Sequence, residues 1–206
     1  MHFIPRLVAT TAVSLFALTA HAGLVTFESD AAGAKPNPFT SNDDVGVTFT
    51  DTLGIDLQVM QGLGECKGGT NKCLVAFNDD TSAIQMDFAV LANQISLEFG
   101  NDQAGFISAD GLALLQMYLG NLLVAEASVT VNLNDAMDQT VSYFGVSFDR
   151  AVFAYSDVNK ARVSLIETID NVSFTSANNV PEPASLALVA MVLAGMGVSR
   201  RARKAA

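Results

Sequence analysis

The chain has 206 residues, of which 50% are hydrophobic, and it contains 15 Gly and 5 Pro. This composition excludes a disordered or collagen-like protein. The 11 basic and 21 acidic residues give a net charge of −10, and five of the bases lie near the two ends of the chain. The body between them, residues 23–179, holds 6 basic and 20 acidic residues and carries −14. Because so acidic a surface repels phosphate backbones, we expect no nucleic-acid partner.

The first 22 residues have the pattern of a secretory signal peptide. His2 and Arg6 precede an apolar stretch from Leu7 to Leu18, and the string Ala20-His21-Ala22 places small residues around a cleavage site. The apolar stretch is too short for a typical membrane span and strand-like sequence follows at once, which favours a signal helix over a buried N-terminal helix. We expect signal peptidase to cleave before Gly23.

Apolar and polar residues alternate through most of the body, which is the period of half-buried strands in antiparallel sheets. Turn residues separate the alternating segments at regular intervals, a spacing typical of a sandwich. We therefore predict an all-β domain at residues 23–174, a jelly-roll-like antiparallel β-sandwich of ten or eleven strands, followed by a linker at 175–179. The clearest alternating segments are 45–50, 84–88, 94–99, 128–133, 141–148 and 171–174.

Cys66 and Cys73 are the only cysteines, and they bracket a glycine-rich loop. In an exported protein this arrangement predicts a disulfide that closes the loop. A metal or redox pair is the alternative, but two thiols without a histidine or a second cysteine pair cannot complete a zinc site, and the spacing is not C-x-x-C.

The apolar segment Leu112–Leu119 has two interpretations, a helix or a strand. Gly120 and Asn121 follow it and form a favourable hairpin turn, and Leu122–Ser128 is an equally apolar return segment. We therefore predict a β-hairpin over residues 112–131.

The C-terminal segment, 180–206, has three parts in a fixed order. The string Val180-Pro181-Glu182-Pro183 comes first, and about 16 residues without charge follow it, slightly fewer than a typical membrane-spanning helix needs. A basic cluster ends the segment and belongs on the cytoplasmic side of a membrane, which places the acidic body outside. The members of this cluster are Arg200, Arg201, Arg203 and Lys204.

This three-part tail resembles the PEP-CTERM sorting signal of exopolysaccharide-producing Gram-negative bacteria. The resemblance covers only the last 27 residues or so, and the alternative is an ordinary tail anchor with a chance Pro-Glu-Pro. It implies a hydrophobic C-terminal helix and a membrane-embedded exosortase, which cleaves near the motif and releases or re-anchors the protein. Such tails are also called ice-binding protein C-terminal domains, a label that describes the tail and not the body.

Two strings at the ends of the body point to a candidate metal site. They are Thr26-Phe27-Glu28-Ser29 and residues 168–174, which contain Asp170. The strings resemble the terminal strands of secreted jelly-roll modules, including carbohydrate-binding ones, in which such a Glu and Asp ligate a structural Ca²⁺. The resemblance implies that Glu28 and Asp170 share a Ca²⁺ where the first and last strands pair. The alternative is that both are ordinary polar strand residues.

Other acidic pairs carry less information. Asp43-Asp44 and Asp79-Asp80 each follow an asparagine, but neither continues into an EF-hand pattern. We interpret both as solvated turns.

The sequence leaves little room for catalysis. After signal cleavage the chain has no histidine, which excludes Ser-His-Asp, Cys-His and HExxH sites. A glycoside hydrolase needs only two carboxylates across a cleft, but twenty acids supply such pairs by chance, and the body has no Trp and only three Tyr. We therefore predict that the protein is not an enzyme and has no catalytic residues.

These features together predict an exported protein that is first anchored in the inner membrane by its C-terminal helix. An exosortase then sorts it to the cell surface or extracellular matrix. There we expect a structural or binding module of the exopolysaccharide layer, with no cofactor other than the candidate Ca²⁺. The alternatives are a lectin-like carbohydrate-binding or adhesive module and a glycoside hydrolase.

Overall fold

The computed structural model describes residues 22–54, 56–62, 66 and 71–176, and within them the chain forms eleven β-strands. The described residues include no helix that is long and apolar enough to span a membrane. The predicted signal helix and C-terminal helix lie outside the described residues. The strands are β1 Ala22–Val25, β2 Gly33–Ala34, β3 Phe39–Thr40, β4 Val47–Asp51, β5 Leu57–Gln61, β6 Lys72–Ala76, β7 Ile84–Gly100, β8 Leu112–Leu119, β9 Leu122–Thr130, β10 Gln139–Ser156 and β11 Glu167–Ser176.

The strands form two layers that share β7 and β10. The first layer runs β3-β4-β7-β10-β8-β9 and uses the N-terminal half of β7 and the C-terminal half of β10. The second runs β2-β5-β6-β11-β7-β10 and uses the other two halves, with β1 paired to β11 beside β6. Every strand pairing is antiparallel, so the predicted all-β antiparallel sandwich is confirmed.

Both shared strands bend from one layer into the other at one end of the sandwich, which we call the bend end. The ladder between β7 and β10 is irregular on both sides of Phe148, which pairs with Ala92. Bulges of this kind sharpen the local twist and let a strand turn from one layer to the other. The ring of Phe88 closes the bend, with its centroid 5.5 Å from that of Phe148 and 5.1 Å from that of Phe174.

The opposite end of the sandwich, where Asp51, Ile84, Gly100 and Glu167 lie, is called the loop end. The two layers meet there as well, since the Tyr155 hydroxyl of the first layer donates a hydrogen bond to the Gly100 carbonyl of the second. The loops between β4 and β5, β6 and β7, β7 and β8, and β10 and β11 all gather at this end. The loop end therefore brings together side chains from four separate parts of the chain.

The core fills the space between the layers and is rich in aromatic rings. Phe99 of β7 is fully buried, and its ring centroid lies 5.8 Å from that of Phe153 and 6.3 Å from that of Tyr155. Phe27 and Phe49 form a second edge-to-face pair at 5.3 Å. Burial of such rings is the main favourable contribution to folding in a sandwich of this size.

Several sequence predictions can be compared with these strands. The hairpin is confirmed, because Leu119 pairs with Leu122 across Gly120, whose φ is 59°. The predicted pairing of the first and last strands is also present, in β1 and β11. The segments 84–88 and 94–99 form one strand instead of two, because residues 89–93 contain neither Gly nor Pro and the chain bends without leaving the ladder.

The predicted boundaries of the body differ slightly from the observed ones. Ala22, the last residue of the predicted signal peptide, begins β1. At the other end β11 continues through Ser176, two residues into the segment predicted as a linker. Ala22 and Thr175 pair with each other in the ladder between β1 and β11. This pairing explains why β1 begins earlier and β11 ends later than the sequence predicted.

We expect Phe99→Ala to lower the free energy of unfolding by about 3–5 kcal/mol, because it removes a fully buried ring from the contact between the layers. Chemical denaturation of the full-length protein measures this change. Phe144→Ala is the matched control, since Phe144 is 75% exposed at the bend end and its loss should change stability by less than about 0.5 kcal/mol. Equal losses for the two variants would contradict the layered core described above.

Candidate functional site

A small cavity opens at the loop end. Its volume is about 130 Å³, which is below the ~300–1,000 Å³ of typical small-molecule pockets. Loops that follow β6, β7 and β10 supply its walls. The lining residues are Asp79, Asn101, Gln103, Phe106, Leu165 and Ile166. A site of this size holds part of a larger ligand, such as one unit of a polymer.

Main-chain and side-chain hydrogen bonds hold the cavity walls in place. Asn101 adopts a left-handed conformation with φ 63°, and its Nδ2 donates to the Ile166 carbonyl at 2.7 Å, which ties two of the loops together. The amide of Phe106 donates to the Gln103 carbonyl at 3.2 Å and closes a tight turn. This turn leaves the Phe106 ring 58% exposed at the cavity.

The chemistry of the cavity suits a neutral ligand rich in hydroxyl groups. Amide and carboxylate side chains, here those of Gln103 and Asp79, hydrogen-bond hydroxyl groups. The Phe106 ring adds an apolar face beside them. A few polar groups beside an aromatic ring can orient a small ligand by this combination.

Four carboxyl groups lie beside this cavity, and we call Asp51, Asp56, Asp80 and Glu167 the acidic cluster. Glu167 directly follows Ile166 of the cavity wall and is fully buried, and Asp51 is only 3% exposed. The Ser82 hydroxyl donates to Glu167 Oε2 at 3.3 Å, and the Ser82 amide donates to Asp80 Oδ1 at 2.7 Å. The cluster therefore joins the end of β4, the β4–β5 and β6–β7 loops and the start of β11.

Burial and mutual repulsion shift the acid–base behaviour of this cluster. Burial, opposed in part by hydrogen bonds and reinforced by Asp80 and Asp51, raises the pKa of Glu167 to about 9. Burial together with the adjacent Asp51 carboxyl raises the pKa of Asp56 to about 6. For Asp51 itself burial acts to raise the pKa, but the adjacent Asp56 carboxyl and nearby amides outweigh it and lower the value. The cluster thus holds protons that isolated carboxyl groups release.

Glu167→Gln is expected to flatten the pH dependence of stability. With a folded pKa of about 9 against an ordinary 4.5, the native state keeps a proton that the unfolded chain loses above about pH 4.5. Wild-type stability therefore falls as the pH rises from 4.5 toward 9, whereas the glutamine of the variant does not titrate. Between pH 5 and pH 8 we expect Glu167→Gln to gain about 2–4 kcal/mol relative to wild type.

Urea denaturation in EDTA at the two pH values measures this gain. Glu126→Gln is the control, because the Lys160 ammonium donates to the Glu126 carboxylate at the surface and holds its pKa below the ordinary value. The Glu126→Gln variant should not become more stable relative to wild type as the pH rises. A Glu167→Gln variant with the same pH slope as wild type would show that the buried carboxyl is not protonated in the native state.

The predicted disulfide is present between Cys66 and Cys73, with a Cα–Cα distance of 5.5 Å. Both residues are fully buried and pack with Val75 and Met137. The described residues contain no free cysteine. The bridge therefore closes the loop as a structural element, as the sequence predicted.

Glu28 lies in the turn after β1, and its hydrogen-bonding partner is Lys72 of β6. Its Oε1 accepts a hydrogen bond from the Lys72 amide at 2.8 Å, and the Lys72 ammonium donates to the carbonyls of Glu28 and Asp30 at 2.7 and 2.6 Å. Asp170 is buried, and its Oδ1 accepts from the Asn171 amide at 2.6 Å. Among the described residues no three acidic, histidine or cysteine side chains surround one point as metal ligands. A Ca²⁺ shared by Glu28 and Asp170 stays a prediction.

Sequence reasoning missed the acidic cluster and the cavity. The prediction of a solvated turn at Asp79 and Asp80 agrees with their position in the β6–β7 loop, where Asp79 is exposed and Asp80 is partly exposed, but it does not show that Asp79 lines the cavity or that Asp80 adjoins the cluster. The one available signal was Glu167, because an acid directly after the apolar pair Leu165-Ile166 is unusual at the start of a buried strand.

Comparison with protein families gives one match. Residues 179–204 match the family model of the PEP-CTERM protein-sorting motif. This confirms that the chain carries a PEP-CTERM sorting motif at its C-terminus, and it indicates a secreted protein. The match includes the Val180-Pro181-Glu182-Pro183 string and the basic cluster, although these residues lie outside those that the structure describes. It concerns sorting and does not bear on ice binding.

No curated protein matches the chain. Among solved structures the chain is similar to the arabinose-bound MgGH51 α-L-arabinofuranosidase, with 12% identity and a TM-score of 0.46. The alignment covers 75% of this chain, which spans 26% of the enzyme.

Two further solved structures are similar to this chain along almost their whole length. The cleaved K2 adhesin domain of Lys-gingipain has 13% identity and a TM-score of 0.46, over 75% of this chain and 99% of that one. A family 29 carbohydrate-binding module has 14% identity and a TM-score of 0.40, over 82% and 99%. TM-scores below 0.5 support no conclusion about ligand or activity.

Proposed function

We propose that this protein is exported, sorted by an exosortase through its PEP-CTERM tail, and displayed in the extracellular polysaccharide layer. There its β-sandwich body acts as a lectin-like module that binds a neutral polysaccharide. The observation that carries the binding role is the cavity at the loop end, where the exposed Phe106 ring lies beside Asp79 and Gln103.

The charge of the body supports a neutral ligand. Residues 23–179 carry −14, and an acidic polymer would be repelled over the whole surface. Asp79 in the cavity wall and the acidic cluster behind it strengthen this repulsion at the site itself. A neutral sugar unit meets no such barrier, because its hydroxyl groups donate to carboxylate and amide oxygens.

The size of the cavity supports binding at a single sugar unit. About 130 Å³ leaves most of a polymer outside the site, so one body is expected to bind weakly. Many copies displayed on one surface would compensate through multivalency, which multiplies weak affinities without new contacts. This arrangement suits a matrix component better than a soluble receptor.

The acidic cluster does not support a glycoside hydrolase. Such an enzyme needs two carboxyl groups on opposite sides of an open cleft, both in reach of the scissile bond. Glu167 and Asp51 are buried beneath the surface, and Ser82 occupies one oxygen of Glu167. We therefore keep hydrolysis only as an outcome that the binding experiment distinguishes.

We expect Phe106→Ala to weaken glycan binding about two- to tenfold, because contact with an aromatic face contributes about 0.5–1.5 kcal/mol. A glycan array of neutral oligosaccharides identifies the ligand, and affinity electrophoresis with the full-length protein compares the variants. Phe144→Ala is the matched control, because Phe144 is also an exposed phenylalanine and lies at the opposite end of the sandwich. Equal weakening in both variants would locate binding elsewhere, and absence of retention on any glycan would make the body a structural module. Release of reducing ends would indicate a hydrolase.

Replacing Pro181, Glu182 and Pro183 by alanine is expected to hold the protein in the inner-membrane fraction. The reason is that the sorting enzyme no longer recognises the tail, whereas the apolar run and the basic cluster still retain it in the membrane. Cell fractionation and mass spectrometry of the wild-type surface protein test this, with an exosortase-deficient strain as the control. Wild-type product should begin at Gly23 and lack the terminal arginines. Intact Arg200 on the extracellular product would contradict the proposed sorting.

A further inference from the structure

One margin of the first layer is an open strand edge. β9 is the last strand of that layer and pairs only with β8. Apart from that ladder, the main-chain N–H and C=O groups of residues 125–129 make no hydrogen bond to another main-chain group in the part of the chain that the structure describes. An unpaired edge of this kind is a template for a further strand.

The main-chain groups of β9 alternate in direction along the strand. The Val131 amide donates to the Gly111 carbonyl directly opposite at 3.1 Å, so Val131 belongs to a hydrogen-bonded pair. Since such pairs alternate along an antiparallel ladder, the odd-numbered residues of 125–129 direct their main-chain groups toward β8. Glu126 and Ser128 lie between them and therefore direct their N–H and C=O groups outward.

Two features limit this edge to a short segment. At one end the Gln139 side chain donates to the outward-facing Thr130 carbonyl at 2.9 Å, which occupies that position. At the other end Val124 has no partner on β8, because the register of the ladder shifts there. Such a bulge increases the local twist and ends the regular part of the strand. We call the segment between these two points, residues 125–129, the open edge.

The open edge lacks the usual protection against strand pairing. Natural edges are protected by lysine, by proline or by being very short, and β2 and β3, at other margins of the sheets, have only two residues each. The open edge contains neither Lys nor Pro. Its inward-facing side chains, Ala125, Ala127 and Val129, pack against the core but stay partly exposed. A strand added here would shield this margin of the core from water.

The charge of the open edge is balanced, although the body as a whole is acidic. Glu126 is the only ionisable residue of this segment, and the Lys160 ammonium pairs with its carboxylate. The segment therefore presents no net charge. A second acidic body is repelled less at this edge than at the rest of the surface, since repulsion depends on the local charge distribution.

We propose that the open edge pairs in antiparallel orientation with the open edge of a second copy of this chain, so that two first layers form one continuous sheet. A second copy offers an edge of identical length that is already folded, whereas a flexible peptide would lose entropy on becoming ordered. Antiparallel pairing of a strand with itself has two-fold symmetry, so the assembly closes as a dimer. The pairing does not rest on the proposed glycan binding, since no residue of the open edge lines the cavity.

The two ends of the open edge select the register of this pairing. Its centre is Ala127, so Ala127 lies opposite Ala127 of the second copy, and Glu126 lies opposite Ser128 of the second copy. Each Glu126–Ser128 pair exchanges both of its outward main-chain hydrogen bonds, and the two Glu126 carboxylates do not face each other directly. So short an interface belongs to the weak class, and display of many copies on one surface raises their effective concentration.

Cross-linking through an introduced cysteine tests the register. The two Ala127 residues form a non-hydrogen-bonded pair, in which the Cα atoms are about 4.5 Å apart, within the range of a disulfide. We expect full-length Ala127→Cys to form a reducible dimer on mild oxidation of intact cells. Gln94→Cys is the matched control, because Gln94 is exposed in the middle of the second layer, between β10 and β11. No more dimer than in this control would overturn the proposal, and a product of another mass would assign the edge to a different protein.

Charge variants of Ser128 test the pairing in solution. Ser128 is exposed and its main-chain groups face away from β8, so these variants should keep the wild-type Tm. Ser128→Lys places an ammonium opposite Glu126 of the second copy and should strengthen dimerisation about two- to tenfold, whereas Ser128→Asp should weaken it by a similar factor. Sedimentation equilibrium of the full-length protein in detergent measures both changes.

Gln94→Lys and Gln94→Asp control for the change in net charge, since Gln94 is exposed but lies away from the edge. Supporting results are opposite shifts for the two Ser128 variants that exceed those of the Gln94 variants. Equal shifts at the two positions, or a dimer that responds to neither Ser128 variant, would show that other surfaces associate and would overturn the proposal. A wild-type protein that stays monomeric at all concentrations would overturn it as well.

Discussion

The two strands that both layers share determine the rest of the structure. β7 and β10 pair with each other along both of their halves, and each turns from one layer to the other at the bend end. The ring of Phe88 packs edge to face against those of Phe148 and Phe174 at that bend. Since the bend fixes one end of the sandwich, the loops at the opposite end are brought together as a direct consequence. Every candidate functional group discussed above depends on this arrangement.

At the loop end, several polar side chains are buried next to the apolar core. Glu167 begins β11 beside Ala76 of β6, and the register of that pairing places its side chain between the layers. Ser82 and Asp80 approach from the β6–β7 loop, and Asn37 holds the β4–β5 loop against them. Burial, together with the neighbouring carboxyl groups, raises the pKa of Glu167 and of Asp56, so the cluster retains protons.

Much of the fold followed from local pattern. Alternation predicted the strands, and Gly120-Asn121 correctly favoured a hairpin over a helix, because both signals depend only on neighbouring residues. The disulfide followed from the compartment and from having only two cysteines. The long bent strand β7 did not follow, since a bulge is a property of the ladder and not of residues 89–93 taken alone. The strands of the sandwich were thus predictable from the sequence, but the bend of β7 and β10 between the two layers was not.

The sequence by itself determined that this protein carries a sorting signal. The Val180-Pro181-Glu182-Pro183 string, the apolar run and the basic cluster are contiguous, and a sorting signal is recognised as a linear segment, so no folding is needed to identify it. Only the tertiary structure decided which acids meet. Asp51, Asp80 and Glu167 are separated by tens of residues, and twenty acids allow far more pairs than any pattern can rank. Their encounter depends on strand register and on the bend, and both arise from packing between distant parts of the chain.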